Sequence, residues 1–184
     1  MTMASRMRDY QAFDLRWCHA ANRWGERPGV HRFFAIISRM GDGWIWLALM
    51  FCLALACGAR GITAALHMLA TGMIASVLYR ALKQKTRRLR PYRSHAGVMP
   101  RVSPLDEFSF PSGHTLHAVS FTIVAIAWFP FLAPPLILLT LAIAMSRVVL
   151  GLHYPTDVLA GALIGAALGC VSVWSCPGHF LAMA

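Results

Sequence analysis

Four or five separate stretches of this chain stay apolar for long enough to cross a bilayer, and their spacing limits the fold more than any other feature. A crossing helix needs about 20 mostly apolar residues, because only a closed hydrogen-bonding scheme satisfies the backbone inside lipid. Residues 43 to 59 form the first stretch, short but extendable backward through Met40. The second runs from Gly61 to Leu82, after a hinge too short for anything but a hairpin. The third starts near His114 and ends at Phe129, where Pro130, Pro134 and Pro135 break it. The fourth covers roughly residues 135 to 150 and the fifth roughly 156 to 175. In the fifth, Gly161, Gly165 and Gly169 recur at the spacing that lets helices pack closely. Hydrophobic residues make up 58% of the chain and charged residues 13%, which is far from a soluble composition. The expected fold is all-α, an integral membrane helical bundle of about five transmembrane helices.

Residues 5 to 40 do not fit that pattern, because Arg6, Arg8, Arg16, Arg23, Arg27, Arg32 and Arg39 interrupt every candidate span. With Phe13, Leu15, Trp17 and Trp24 interleaved, the segment reads as an amphipathic helical arm lying along the membrane interface. A plainly solvated arm is the alternative. The first 17 residues carry charge throughout and lack a continuous apolar core, so no cleavable signal is expected. No repeat or low-complexity linker divides the chain. It is therefore expected to be a single membrane-embedded domain over 1–184, with the arm at 1–40, the transmembrane bundle at 41–176 and a short tail at 177–184. The cysteines Cys18, Cys52, Cys57, Cys170 and Cys176 sit mostly in or beside apolar runs without a CxxC pair, and read as small apolar residues.

Charge locates the chemistry. Sixteen of the seventeen Lys and Arg residues lie at or before position 101, and after it only Arg147 remains. Eight of them fall within residues 80 to 101. Such a loop either holds one side of the protein in the cytoplasm or binds an anion, with Arg offering paired donors to phosphate oxygens. Nucleic acid is not an expected partner, since the loop is short and pinned between membrane helices. Counting crossings brings three remote segments to one face: this loop, the FPSGH turn at 110 to 114, and SRVVLGLHYPTD at 146 to 157.

Ionisable side chains at such a place are functional candidates, because burying them unpaired costs several kcal/mol. Pro111 fixes a turn, Ser112 is a good N-cap, and Gly113 allows close backbone approach where a helix begins with its free N–H groups exposed to an anion. Together with Lys83, Arg90 and Arg147 these residues make a cage for a tetrahedral dianion. His153 and Asp157 stand four residues apart, a spacing that lets the carboxylate orient the imidazole and leave its other nitrogen free to attack phosphorus. His114 at the helix start is placed to protonate a departing alcohol and later to activate water. His114 with His117 and His153 with Asp157 also have metal-ligand spacing, but the crowd of cations would repel a metal ion.

The three segments KQKTRRLRP, PSGH and SRVVLGLHYPTD match, in order, the pattern Lys-x6-Arg-Pro, Pro-Ser-Gly-His, Ser-Arg-x5-His-x3-Asp. In this the chain resembles the type-2 phosphatidic acid phosphatase superfamily, over roughly residues 40 to 176. The resemblance implies that Lys83, Arg90 and Arg147 hold the phosphate, with Ser112 and Gly113 adding hydrogen bonds. It implies that His153 takes the phosphoryl group, Asp157 orients it and His114 protonates the leaving group, with no metal and no cofactor. Many relatives have six spans, whereas here the arginine-studded arm replaces the first. A site at the membrane surface suits a lipid phosphate or diphosphate: undecaprenyl diphosphate, phosphatidic acid and phosphatidylglycerophosphate remain open, and membrane lipids are the expected surroundings. A carrier that binds the phosphate head without hydrolysing it is the alternative. The arm's arginines favour a cytoplasmic active face, while the resemblance favours the periplasmic face of a bacterial inner membrane. The latter is the expectation, with the oligomeric state left open.

Overall fold

The structure, a computed structural model, describes residues 3–104 and 106–176, with side chains from residue 12 onward. The expected tail at 177–184, with His179, lies outside the described residues, as do Met1, Thr2, Leu105 and the side chains of Arg6 and Arg8. Among the described residues the chain is built from α1 (Met3–Trp24), α2 (Pro28–Met40), α3 (Trp44–Ala56), α4 (Gly58–Thr86), the short α5 (Pro91–Ser94), α6 (Gly113–Trp128), α7 (Ala133–Val149) and α8 (Pro155–Ser175). One turn of 3-10 helix at Pro130–Leu132 leads into α7, whose own first turn carries Pro134 and Pro135 where a missing N–H costs nothing.

The all-α membrane class expected from the sequence is the class observed. By length and composition α4, the Pro130–Val149 segment and α8 can each cross a membrane, and α2 with α3 pass the same test as a bent pair. At 16 residues, α6 is shorter and apolar, spanning about 24 Å. Leu47, Phe51, Leu66, Val77, Leu138, Leu163 and Trp174 are exposed on the outer faces of these helices, as a lipid-facing surface requires. The first expected span differs in one respect. Its backward extension through Met40 does not run straight, because Gly41, Asp42 and Gly43 break the helix, and α2 and α3 meet at 53°. Gly43 sits at φ +120°, a conformation side chains disfavour, so the sequence supplies the break itself.

Helix α6 forms the centre of the bundle, packed on α4, α7 and α8. Among the described residues its contact with α8 is the most extensive between any two helices. The glycine stripe makes it possible: a Cβ on Gly161 would lie 2.6 Å from the Ser112 carbonyl oxygen, and one on Gly165 would lie 2.5 Å from that of Leu116. Within the bundle the Trp128 indole N–H donates to His67 Nδ1 at 3.0 Å, so His67 Nε2 carries the ring proton and donates to Ser172 Oγ at 2.7 Å. This polar chain ties α4, α6 and α8 together in lipid, where an unpaired donor costs several kcal/mol. Helix α4, at 29 residues and about 44 Å, is longer than the hydrocarbon core is thick. Its last turns, with Arg80 and Lys83, therefore reach the membrane edge. Beyond it, residues 87–104 and 106–112 fold back over the bundle, pinned by an antiparallel bridge between Leu89 and Phe108.

The arm is helical, as expected, but one of its faces is part of the core. Asp14, Cys18 and Asn22 of α1 and Phe34 and Ser38 of α2 are buried, with α1 packed on α7 and α8 and α2 on α7. Phe13, Trp17, Phe33 and Ile36 stay exposed on the opposite side.

Candidate active site

A cavity of about 980 Å³ opens at the end of the bundle where α4, α6 and the α7–α8 joint meet. Its lining includes Lys83, Arg90, Gly113, His114, Arg147 and His153, contributed by the three segments singled out from the sequence. Of the eight residues singled out from the sequence, six therefore share one space. Ser112 and Asp157 lie just behind it, each fully buried.

His153 sits in the short joint before α8, 1% exposed. Its Nδ1 lies 2.7 Å from the Ser109 carbonyl oxygen, an acceptor, so Nδ1 carries the proton and Nε2 keeps its lone pair. Nε2 lies 3.5 Å from Arg90 Nη1. Burial foremost, then the charges of Arg90, Arg147 and Lys83, hold the imidazole well below its ordinary pKa. At neutral pH it is an uncharged base with one nitrogen free.

The orienting partner differs from the one the spacing suggested. Asp157 Oδ2 is 3.7 Å from His153 Nδ1, beyond hydrogen-bond reach, and accepts instead from the Tyr154 backbone N–H at 2.9 Å. Its Oδ1 pairs with Arg88 Nη1 at 2.7 Å. The reason is local: Tyr154 caps α8, and a carboxylate three residues on closes a capping box. Asp157 thus anchors the joint that carries His153, while the Ser109 carbonyl holds the ring.

Arg90 is held on every nitrogen. Nε donates to the Asp106 carbonyl oxygen at 3.0 Å, Nη1 to that of Leu152 at 2.8 Å, and Nη2 to Asp106 Oδ1 at 2.7 Å. Lys83 Nζ pairs with the same carboxylate at 2.6 Å. Burial pushes the Asp106 carboxyl upward, but the hydrogen bonds and charges of Lys83 and Arg90 outweigh it and hold the group below its ordinary value. Arg147 is different. Its guanidinium is 2% exposed, donates through Nη1 to the Ser38 hydroxyl, and its buried Nε has no hydrogen-bond partner among the described residues. No carboxylate lies within ion-pairing distance of this buried cation among the described residues, an arrangement that favours an anionic ligand.

At the start of α6, Gly113 faces the cavity and the Tyr79 ring, which a Cβ would approach to 3.3 Å. Ser112 occupies the N-cap position, yet its hydroxyl pairs with Thr115 Oγ1 at 3.0 Å and not with the helix N–H groups. His114 meets Asp42 Oδ1 through Nε2 at 2.7 Å. His117 also lines the cavity, with both ring nitrogens engaged: Nδ1 is 2.8 Å from the Gly113 carbonyl and Nε2 3.0 Å from Ser76 Oγ.

Sequence reasoning missed Asp42, Asp106, Ser109 and Ser38, together with a support behind them. Asp14 of α1 pairs with Arg88 at 2.7 Å and accepts from the Thr156 backbone N–H at 3.1 Å. Cys18 Sγ donates to the His153 carbonyl at 3.6 Å, and burial pushes its thiol to about 12, so it is a packing group and not a nucleophile. Asn22 bridges Met99 and Val149. One signal was available: only seven Asp and Glu residues stand in a chain of net charge +10. Each acidic side chain among the described residues faces a cation or a histidine.

The sequence model of the PAP2 superfamily matches residues 61–179. The decaprenylphosphoryl-5-phosphoribose phosphatase of Mycobacterium tuberculosis is 33% identical over 153 residues, which cover 79% of this chain and 80% of that protein. Among solved structures, Aquifex aeolicus LpxE superposes with a TM-score of 0.78 at 26% identity, covering 88% of this chain and 95% of that one. The transmembrane PAP2-type phosphatidylglycerolphosphate phosphatase of Bacillus subtilis gives 0.73 at 25% identity, covering 89% and 84%.

Proposed function

Because the chain belongs to the PAP2 superfamily, we propose that this integral-membrane phosphatase removes a terminal phosphate from a lipid phosphate or diphosphate by way of a phosphohistidine on His153. The observation that carries the reading is the single cavity shared by Lys83, Arg90, Arg147, His114 and His153.

Lys83, Arg90, Arg147 and the free N–H groups at Gly113 hold the phosphate oxygens and offset the charge that develops on them. The lone pair on His153 Nε2 forms a bond to phosphorus as the bond from phosphorus to the lipid oxygen breaks. That oxygen leaves with the bonding pair and takes a proton from His114. Water then gives a proton to His114 and its oxygen attacks phosphorus, the bond to Nε2 breaks, and inorganic phosphate departs. Through the first transfer the Ser109 carbonyl keeps Nδ1–H in place and the imidazolium gains a partner, the part a carboxylate plays in a triad.

The opposite wall of the cavity supports a lipid. Leu47, Leu69, Met73 and Val77 line it and are also exposed on the outer surfaces of α3 and α4, so a chain can remain in the bilayer while its head enters. Among substrates, polyprenyl-linked phosphates rank first, because the relative aligned over four-fifths of its own length is named for decaprenylphosphoryl-5-phosphoribose. The site faces the periplasm of a bacterial inner membrane. A cysteine replacing the exposed Lys85 will then react with a membrane-impermeant maleimide in intact cells, and protection there would put the site inside.

Phosphate release by purified protein tests the function. The panel comprises decaprenylphosphoryl-5-phosphoribose, undecaprenyl diphosphate, phosphatidic acid and phosphatidylglycerophosphate, with wild type beside His153→Ala. Turnover of at least one lipid, lost in the variant while binding persists, is the expected result. Binding without phosphate release by either protein would make the chain a carrier.

A further inference from the structure

We propose that Asp42 is a positioning residue for proton transfer, holding His114 through Nε2 so that Nδ1 delivers the proton to the departing oxygen. The inference rests on the reading of His114 as proton donor and adds the group that directs it.

Asp42 comes from a part of the chain with no place in the three catalytic segments, the turn between α2 and α3. Three observations join it to His114. Asp42 Oδ1 and His114 Nε2 are 2.7 Å apart, and both side chains line the cavity. The neighbouring Gly41 packs against the same ring, where a Cβ would stand 3.1 Å from Cδ2 and 3.2 Å from Ile143 Cγ2. Gly43 at φ +120° completes a break that turns the pair α2 and α3 through 53° and puts the carboxylate at the ring. A continuous helix through residues 41–43 would not present it there.

The other titratable groups in and behind the cavity do not compete for this part. Asp106 is engaged by Lys83 and Arg90, Asp157 by Arg88 and the Tyr154 N–H, and His117 by Ser76 and Gly113. An imidazole in a space lined by Arg80, Lys83, Arg90 and Arg147 is a poor proton carrier unless an anion stands beside it. A carboxylate on the far nitrogen fixes the tautomer and stabilises the charged ring, as an aspartate does for a triad histidine. In the transfer, the bond from phosphorus to the lipid oxygen breaks, the oxygen keeps the pair and takes the proton from Nδ1, and the Nε2 proton stays on its hydrogen bond to Asp42.

Leaving-group dependence separates this role from a structural one, since an alkanol needs a proton to leave and a nitrophenolate does not. The ratio kcat/KM, which reports transfer of the phosphoryl group to His153 and excludes the later water step that also uses His114, is compared for wild type, Asp42→Asn and His114→Ala on an alkyl phosphate and on nitrophenyl phosphate in the same detergent. Asp42→Asn is expected to lower kcat/KM on the alkyl ester by roughly 10- to 100-fold, within the range of general acid catalysis, while kcat/KM on the nitrophenyl ester stays nearly unchanged. His114→Ala is expected to show the same selectivity more deeply. Equal loss on both esters, or none, in Asp42→Asn beside a selective His114→Ala overturns the role of Asp42 alone. A His114→Ala variant with no selectivity overturns the donor reading, and this inference with it. Gly41→Ala, which crowds the ring without touching the carboxylate, provides a second variant with the same expected selectivity should Asp42→Asn fail to fold.

Discussion

At the scale of single residues, the site depends on how its few anions are placed among many cations. His153 donates from Nδ1 to a carbonyl and is buried beside Arg90, Arg147 and Lys83, so protonating it would add charge to an already cationic space. An unperturbed imidazole is half charged near pH 6.5, at about its own pKa. Nitrogen NMR of labelled protein at that pH is expected to show His153 neutral with the proton on Nδ1, and to show it charging only as the pH falls further. A ring doubly protonated at pH ~6.5 would remove the nucleophile. Asp106 makes a second case. Its carboxylate holds the Lys83 and Arg90 donors that a phosphate would use, and its pKa lies below the ordinary carboxylate value. The stability from these pairs is therefore complete above about pH 4 and is lost as the pH falls through the lowered value. Replacing Asp106 with Asn should let orthovanadate inhibit at a roughly tenfold lower concentration, the worth of one charge-assisted hydrogen bond. Weaker inhibition would mean that the carboxylate instead holds the two cations in their working positions.

Among the elements, α1 shows what packing adds to an amphipathic pattern. Asp14, with its side chain 3% exposed, meets Arg88 and the start of α8, one turn from the joint that carries His153. Asp14→Asn should cost about 1–3 kcal/mol, read as a lower thermal midpoint in detergent, with a fall in kcat larger than any change in KM. An unchanged midpoint and rate would make the arm dispensable to the site. The elements themselves were largely legible, because apolar length reports a crossing helix without reference to any partner. The glycine stripe of α8 was legible for a similar reason, as Gly161 and Gly165 leave room that only a close neighbour fills. The break at Gly41, Asp42 and Gly43 was obscured by the apolar residues on either side, which read as one run. The buried face of the arm was hidden too: arginines dominate its composition, while Asp14, Asn22 and Ser38 acquire meaning only from the elements they touch. The spacing of Asp157 from His153 fits a capping box as well as a triad, and in the structure its carboxylate closes the capping box.

For the molecule as a whole, a long α4, a short central α6 and a kinked joint between α7 and α8 bring one end of the bundle to a common cavity. One wall of that cavity is cationic and the other continues into the lipid-facing surface, so under the proposed function the same architecture that crosses the membrane would sort a polar head from an apolar tail. The sequence segments that line the cavity were legible because they are short and ordered along the chain. The acids that hold them were not, because each comes from a different element. Quenching the enzyme in alkali during turnover of a labelled lipid phosphate, followed by peptide mapping, tests the chemistry most directly. An acid-labile phosphoryl group on His153, absent from His153→Ala, is the predicted result; label on any other side chain, or none during active turnover, would contradict it.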